Sequence, residues 1–426
     1  MAKQTVRQRS SRRPVIELLV QLLGVSLASF FVPLLSPLIV SGNLGINLPG
    51  TGNTQIASFV AAMTALVAFR RVTMYPGTRA FAYVLPTFST TFGLATAFLL
   101  ASRISYSGTM MLAGYIASAG VTFLVNFLAQ RSGAQPRMYY VPAGNTDIVA
   151  DTPQVEWIRL TAPRLPDDPD AAVVADLRSD HAPEWERMLA KAAISGRWVY
   201  HTKQLRESLT GRVQIEHLSE NSFGSLLPNL AYRGVKRTAD LLACAVLLPI
   251  LAVPMLIVAV LIRLDSAGPV IFRQQRMGYQ GHPFDVLKFR TMTQRQANDD
   301  TDEAITRADD ARITRVGRFL RRTRFDELPQ IINILRGEMS WIGPRPEAVP
   351  LSAWYEQELP FYSYRHIVRP GITGWAQVNQ GHVAGLDEVH VKLHYDFYYI
   401  KFFSFWLDLL IALRTVGIML TGFGAR

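Results

Sequence analysis

Hydrophobic positions along this chain come in blocks, and the blocks change character twice. Four apolar runs fill the first third, at about residues 14–40, 55–69, 80–102 and 109–129. Crossing a bilayer takes ~20 apolar residues in a helix. The pattern therefore predicts four transmembrane helices within residues 1–136, the second being the shortest. Residues 137–228 alternate strand-like runs ("RMYYV", "EWIRL", "AAVVADL", "RWVYH") with the amphipathic stretch "APEWERMLAKAAI". This predicts a small α/β domain of degenerate Rossmann-like pattern. Its "VPAGNTDIV" holds one glycine where a nucleotide loop needs several, which favours a spacer over a cofactor site.

A fifth apolar run covers residues 238–264, with no charge between Asp240 and Arg263. Pro249 and Pro254 lie in its middle, and each removes a helical hydrogen bond. Two readings follow. It is a kinked spanning helix, or it breaks at Pro254, dips into the bilayer and returns. The remainder, to residue 426, has short elements and many fixed turns. Its end carries Phe402, Phe403, Phe405 and Trp406, which suit an interfacial helix or a core helix equally.

Charge orients these blocks. Arg7, Arg9, Arg12 and Arg13 precede the first run, and residues 41–54 carry no charge. Arg70, Arg71 and Arg79 separate the second run from the third. Arg103 alone lies between the third and fourth, and Arg131 and Arg137 follow the fourth. By the positive-inside rule both ends of the four-helix block are cytoplasmic. The chain carries 44 basic and 33 acidic residues, a net +11. Such an excess suits an anionic membrane surface or an anionic substrate. Weak basic–aromatic interleaving argues against nucleic acid, and the absence of charges from the middle of the runs argues against a transporter. Cys244 is the single cysteine, so no intrachain disulfide forms. The long first run lacks a small-residue cleavage site and predicts no cleaved signal peptide.

The candidate chemistry centres on "RTRFDELPQIINILRG". Pro329 suits a first helical turn, Ile331, Ile332 and Leu335 share a face, and Gly337 is a stop. Asp326 and Glu327 thus sit at or just before a helix N-terminus, where the dipole favours carboxylates. Arg318, Arg321, Arg322 and Arg324 push the same way. An ionised Asp326 can attack phosphorus or hold Mg²⁺, while a capping acid with surface salt bridges is the plainer reading. Other cations are rigidly mounted. Lys288 and Arg290 stand two apart in "KFR", Arg345 lies between two prolines, Arg369 precedes a Pro-Gly turn, and Arg276 is in "RQQRMG". Together they form a set suited to a diphosphate. His366, His382, His390 and His394 show no zinc pattern.

In chain order, "KRTAD", the proline-broken apolar run, "IFRQQRMG", "FDVLKFRTM", "ITRVGRFLRRTRFDELPQIINILRGEMSWIGPRPE" and "VRPGITGWAQV" resemble the bacterial sugar transferases. These are the monotopic phosphoglycosyl transferases, or polyprenyl-phosphate hexose-1-phosphate transferases. The resemblance runs from about Tyr232 to the end, and the N-terminal blocks are similar to the large subgroup. It implies a catalytic domain over residues 229–426 with a re-entrant helix–break–helix at 236–264, breaking nearest Pro254. It implies transfer of a hexose-1-phosphate, glucose or galactose by family habit, from a UDP-sugar to undecaprenyl phosphate, releasing UMP. This would be the first membrane step of exopolysaccharide, capsule or O-antigen synthesis, at the cytoplasmic face of the bacterial inner membrane. Asp326 would be the nucleophile, with Glu327 orienting or assisting and Mg²⁺ held by Asp326 and Glu327. Arg321 and Arg345 would bind phosphate or substrate, as would Lys288 and Arg290. An inactive scaffold or regulator of polysaccharide assembly is the competing expectation, and a homo-oligomer stays open.

Overall fold

The computed structural model describes residues 13–41, 49–75, 80–131, 137–153, 155–168, 171–215, 228–293, 312–381 and 385–421. Arg7, Arg9, Arg12, Arg79 and His382 lie outside them. Two compact units make up the chain, Met1–Gly211 and Arg212–Arg426.

The first unit begins with α1 (Arg13–Ser41), α2 (Thr51–Thr73), α3 (Ala80–Ala101) and α4 (Gly108–Arg131). All four are long and apolar enough to cross a membrane. α2 exceeds the apolar run that predicted it, because polar residues at its ends have partners. Thr54 Oγ1 accepts from Ser107 N at 2.9 Å, and Arg70 Nε donates to Gln21 Oε1 at 2.9 Å. Small side chains let these helices approach: Ala61, Ala62 and Ala65 are buried in α2. The same unit holds a parallel sheet of order β2-β1-β3-β4, from β1 (Arg137–Tyr140), β2 (Glu156–Arg159), β3 (Ala172–Ala175) and β4 (Val199–His201). Helices α5 (Ile148–Asp151) and α7 (Thr202–Thr210) cover one face and α6 (Pro183–Ile194) the other, as separate cores around Val174 and Val173 require. All four strand-like runs and the amphipathic stretch form the elements predicted for them. Asn145, in the loop after β1, donates its backbone N–H to Oδ2 of Asp176, just past β3, at 2.9 Å.

The second unit is built on α8 (Leu230–Asp265), one helix that contains both Pro249 and Pro254. The expected break at Pro254 therefore does not interrupt the helix. One stripe of α8 is buried: Lys236, Asp240, Cys244, Val258 and Ile262. The opposite stripe is exposed and apolar, including Leu242, Val246, Ile250, Val253, Ile257 and Leu264. Cys244 packs with Val286, Ile331 and Ile334, and Val258 and Ile262 pack with Phe289 and Leu320. Both halves of α8 thus rest on one body. That body comprises the hairpin β5 (Ile271–Met277) and β6 (Pro283–Phe289), then α9 (Arg315–Thr323), α10 (Gln330–Arg336), β7 (Ser340–Ile342) and α11 (Val349–Glu358). It continues through β8 (Gly371–Thr373), which pairs in parallel with β7, to α12 (Trp375–Gln380), α13 (Leu386–Lys401) and α14 (Phe405–Thr421).

The "KRTAD" side chains rivet the start of α8. Lys236 Nζ meets Asp408 Oδ2 of α14 at 2.7 Å. Arg237 donates to the carbonyls of Ile334 (2.6 Å) and Leu335 (3.0 Å) at the end of α10. Asp240 Oδ2 accepts from Ser340 Oγ at 2.7 Å. Near the other end, a Cβ on Gly317 of α9 would stand 2.0 Å from Thr291 O, so only glycine allows that approach. The aromatic end of the chain divides its roles. Phe403 is buried beside Tyr232 and Tyr399, whereas Phe402 and Phe405 are exposed.

Asn333 of α10 sutures the helix to β6. Its Oδ1 accepts from Leu287 N at 3.0 Å, and its Nδ2 donates to Asp285 O and Glu338 Oε2, both at 2.7 Å. Asn333→Ala leaves a buried N–H unpaired and is expected to destabilise the folded unit by about 1–3 kcal/mol. Thermal unfolding of the detergent-solubilised chain measures this; an unchanged midpoint would show the suture is dispensable.

Candidate active site

Asp326 and Glu327 occupy a tight 3-10 turn, Phe325–Glu327, between α9 and α10. Arg324 sets up the turn by closing α9 at φ 62°, in the left-handed region. A non-glycine residue there carries roughly 1–2 kcal/mol of strain. Pro329 is the residue that caps α10, and Gly337 ends it at φ 83°, where glycine is favoured. The acid pair thus lies just before the helix, as its sequence predicts.

The two acids have different surroundings. Glu327 is buried, with Oε1 3.0 Å from Arg345 Nη2, 3.6 Å from Lys288 Nζ and 3.8 Å from Arg324 Nη1. Burial pushes its carboxyl up, but Arg345, Lys288 and Arg324 outweigh burial and hold it at about 2. Asp326 Oδ1 is also buried, yet it has no hydrogen-bond partner among the described residues. Burial first, and then Glu327, raise the Asp326 carboxyl above its ordinary value against Lys288, Arg324 and Arg321. This direction is the reverse of the one expected from a helix dipole and nearby arginines. A turn this enclosed desolvates the carboxylate, and with Glu327 beside it this outweighs the nearby cations.

Lys288, on β6, is brought down to about 8 by burial, with Glu327 opposing and Arg345 and Arg276 assisting. Arg345 reaches the site from the loop after β7, and that loop is held from behind. Arg276 Nη1 donates to Pro346 O at 2.6 Å, and Arg365 Nη2 donates to Arg345 O at 2.8 Å. Arg365 is itself buried 2.9 Å from Asp396, and Lys392 is paired with Glu347. Glu347 stays at about 2, because Lys392 and Arg365 outweigh its burial. Arg321 Nε donates to Thr291 Oγ1 at 2.9 Å while its charge acts on Asp326.

Of the residues singled out in the sequence, Asp326, Glu327, Lys288, Arg276, Arg321 and Arg345 therefore belong to one neighbourhood. Arg290 and Arg369 have other surroundings. Arg290 is buried and donates to Ser266 O (2.6 Å), Ser266 Oγ (2.9 Å) and Ala267 O (2.9 Å), tying the end of α8 to the hairpin. The strand ends at Phe289, so the two-residue spacing from Lys288 does not place both cations on one target. Arg369 Nε donates to Gly337 O at 2.9 Å, at the opposite end of α10 from the acids. Arg365, Glu347, Lys392 and Asp396 were missed. The available signal was Lys392 and Asp396, opposite charges at i,i+4 in the middle of α13. The His390 and His394 rings lie 4.5 Å apart between centroids, tilted by 59°, and no group of metal-ligating side chains appears among the described residues.

Residues 231–422 match the bacterial sugar transferase family. Over 375 residues the chain is 44% identical to the UDP-N-acetylgalactosamine-undecaprenyl-phosphate N-acetylgalactosaminephosphotransferase of Aeromonas hydrophila, covering 88% of each protein. The chain belongs to the bacterial sugar transferases. Two relatives of this sugar transferase match less than half of its length, and both are named UDP-glucose:undecaprenyl-phosphate glucose-1-phosphate transferase. The Caulobacter vibrioides protein is 44% identical over 200 residues, 46% of this chain and 74% of the relative. The Escherichia coli protein is 43% identical over 188 residues, 43% of this chain and 40% of the relative.

The transferase carries a pH-sensitive cation in Lys288. An ordinary lysine keeps its proton up to 10.5, whereas Lys288 loses it as pH rises through about 8. Between these values the folded chain binds fewer protons than the unfolded one, so this group makes stability rise with pH. Anion binding moves the opposite way. Affinity for inorganic pyrophosphate should fall about ten-fold per pH unit above pH about 8 if it requires that charge. Lys288→Arg should remove the decline. Titration calorimetry from neutral to alkaline pH tests both, and a wild-type affinity that stays flat would exclude Lys288 as the titrating contact.

Proposed function

We propose that this membrane transferase moves a sugar-1-phosphate from a UDP-sugar to undecaprenyl phosphate through a covalent intermediate on Asp326. The observation that carries this reading is the asymmetry of the acid pair. Glu327 is engaged by three cations, while a buried oxygen of Asp326 has no internal partner among the described residues. Glu327 is the anchor, and Asp326 is left for chemistry.

In the first step a carboxylate oxygen of Asp326 bonds to the phosphorus attached to the sugar. The bond from that phosphorus to the bridging oxygen breaks, and UMP leaves with the bridging oxygen. In the second step the phosphate of undecaprenyl phosphate bonds to the same phosphorus, and the Asp326 O–P bond breaks. The products are undecaprenyl-diphosphate-sugar and the free carboxylate. Lys288, Arg321 and Arg345 offset charge on the transferred group. Mg²⁺ fits this chemistry, since it takes one or two carboxylates together with phosphate oxygens. Asp326 is the better protein ligand, because Glu327 Oε1 already faces cations. When bound, the ion would neutralise the diphosphate.

The placement of α8 supports a monotopic arrangement. Its first turns hold the carbonyl end of α10, and its last residue, Asp265, accepts from Val316 N at 3.3 Å. A helix crossing the bilayer would separate these contacts or carry charged elements into the hydrocarbon. A helix lying in one leaflet keeps both, with its exposed apolar stripe in lipid. The site then faces the cytoplasm at headgroup depth, on the inner membrane, where it meets a soluble nucleotide sugar and a lipid acceptor. For the sugar, N-acetylgalactosamine leads, because the relative named for it aligns along nearly the whole chain. Glucose is the second reading, from relatives that align over less than half of the chain. Either places the reaction at the start of a surface polysaccharide.

Asp326→Asn should lower UMP release by about a thousand-fold or more, with the protein still in the membrane. Near-normal turnover in that variant sinks the nucleophile assignment, and a panel of UDP-sugars ranks the donors. Ser266→Cys should react with impermeant thiol reagents from the cytoplasmic side, and labelling from the periplasm alone refutes the one-leaflet placement.

A further inference from the structure

A second basic pocket lies at the far end of α10 from the acid pair. Arg233 Nη1 donates to the Tyr279 hydroxyl at 3.1 Å. Arg369 stacks on the same ring at 5.1 Å from its centroid, and Arg237 closes the pocket from α8. Tyr279 stands in the turn of the β5–β6 hairpin, so three guanidiniums from two separate segments gather at a third. The seven residues of α10 span about 10 Å at 1.5 Å per residue, which separates this pocket from Asp326.

The charges here do not balance. Lys236 in the lining is offset by Asp408 at 2.7 Å. Asp240, the carboxylate in the lining, accepts from Ser340 and Trp341, and one carboxylate against Arg233, Arg237 and Arg369 leaves a net of two positive charges. The carbonyl end of α10 offsets only about half a charge. Burial, and then Arg237, push Arg369 below the ordinary arginine value. An anion in the pocket would relieve this repulsion.

The depth of the pocket identifies the anion. Immediately beyond Arg233 and Arg237, α8 presents Leu241, Leu242 and Val246 at 38%, 62% and 64% exposure. The cations therefore border the apolar surface, at the level where headgroup phosphates lie. We infer that this pocket binds the phosphate diester of an anionic membrane phospholipid. Guanidiniums match phosphate oxygens in pairs, and the surplus positive charge repels the cation of a zwitterionic headgroup. The same hairpin carries Lys288 on β6, so a lipid held at Tyr279 fixes the strand of a catalytic-site cation at the membrane surface.

Native mass spectrometry of the full chain, extracted from vesicles of equal phosphatidylglycerol and phosphatidylcholine, tests this without turnover. A failure of the transfer mechanism leaves this readout untouched. Phosphatidylglycerol should be retained preferentially. At ~1 kcal/mol per arginine near a membrane surface, Arg233→Gln should lower its retention about five-fold, and Arg233→Gln with Arg369→Gln about thirty-fold. Arg233→Gln removes one exposed hydrogen bond and so guards against misfolding. Asp326→Asn should change nothing. Equal retention of the two lipids, or retention unchanged in the arginine variants, overturns the inference. Displacement of the lipid by millimolar inorganic phosphate also overturns it, by making this a free-phosphate site.

Discussion

Glu327 meets cations from three separate segments: Lys288 on β6, Arg324 at the close of α9 and Arg345 in the loop after β7. A buried carboxylate without partners would be driven neutral, and cations without it would repel one another. Removing one partner of such a cluster leaves an uncompensated buried charge, at a loss of about 3–5 kcal/mol. The pieces of the site are therefore mutually dependent. Asp326 inherits its position from this knot, one residue earlier in the same strained turn, without sharing its pairings.

Each segment that feeds the knot is held from behind. Asn333 ties β6 to α10, and Gly317 lets α9 sit against Thr291. Arg276 and Arg365 hold the carbonyls of Pro346 and Arg345. Arg365 depends in turn on Asp396 in α13, so the placement of Arg345 reaches to the far side of the unit. Beneath these elements α8 forms a floor, polar at its start and apolar along its outer stripe. A site of positioned charges needs such bracing, since fixed charges act most strongly where water is limited.

The sequence was most legible where periodicity and chain chemistry act locally. Apolar blocks marked the membrane helices, alternation marked the strands of the small sheet, and Gly337 marked the end of α10. The ordered motifs marked the family, and six of the eight charged residues they singled out converge. Arg290 and Arg369 do not, because a cation two residues along, or before a turn, carries no local sign of what it faces. Arg290 closes a helix end, and Arg369 belongs to a pocket at the other end of α10.

By itself the sequence determined which residues are apolar, which turns are fixed and which acids stand together, because these follow from a few neighbouring positions. Only the tertiary structure decided how the two acids differ. Their neighbours along the chain are nearly the same, but Arg345 and Lys288 arrive from distant segments and meet Glu327. Only the fold decided that the apolar run through Pro249 and Pro254 stays one helix, because its buried stripe is completed by Val286, Phe289, Leu320 and Ile334 from outside it. Charge pairing and burial depend on what folding brings close, and for these residues the partners lie far along the chain.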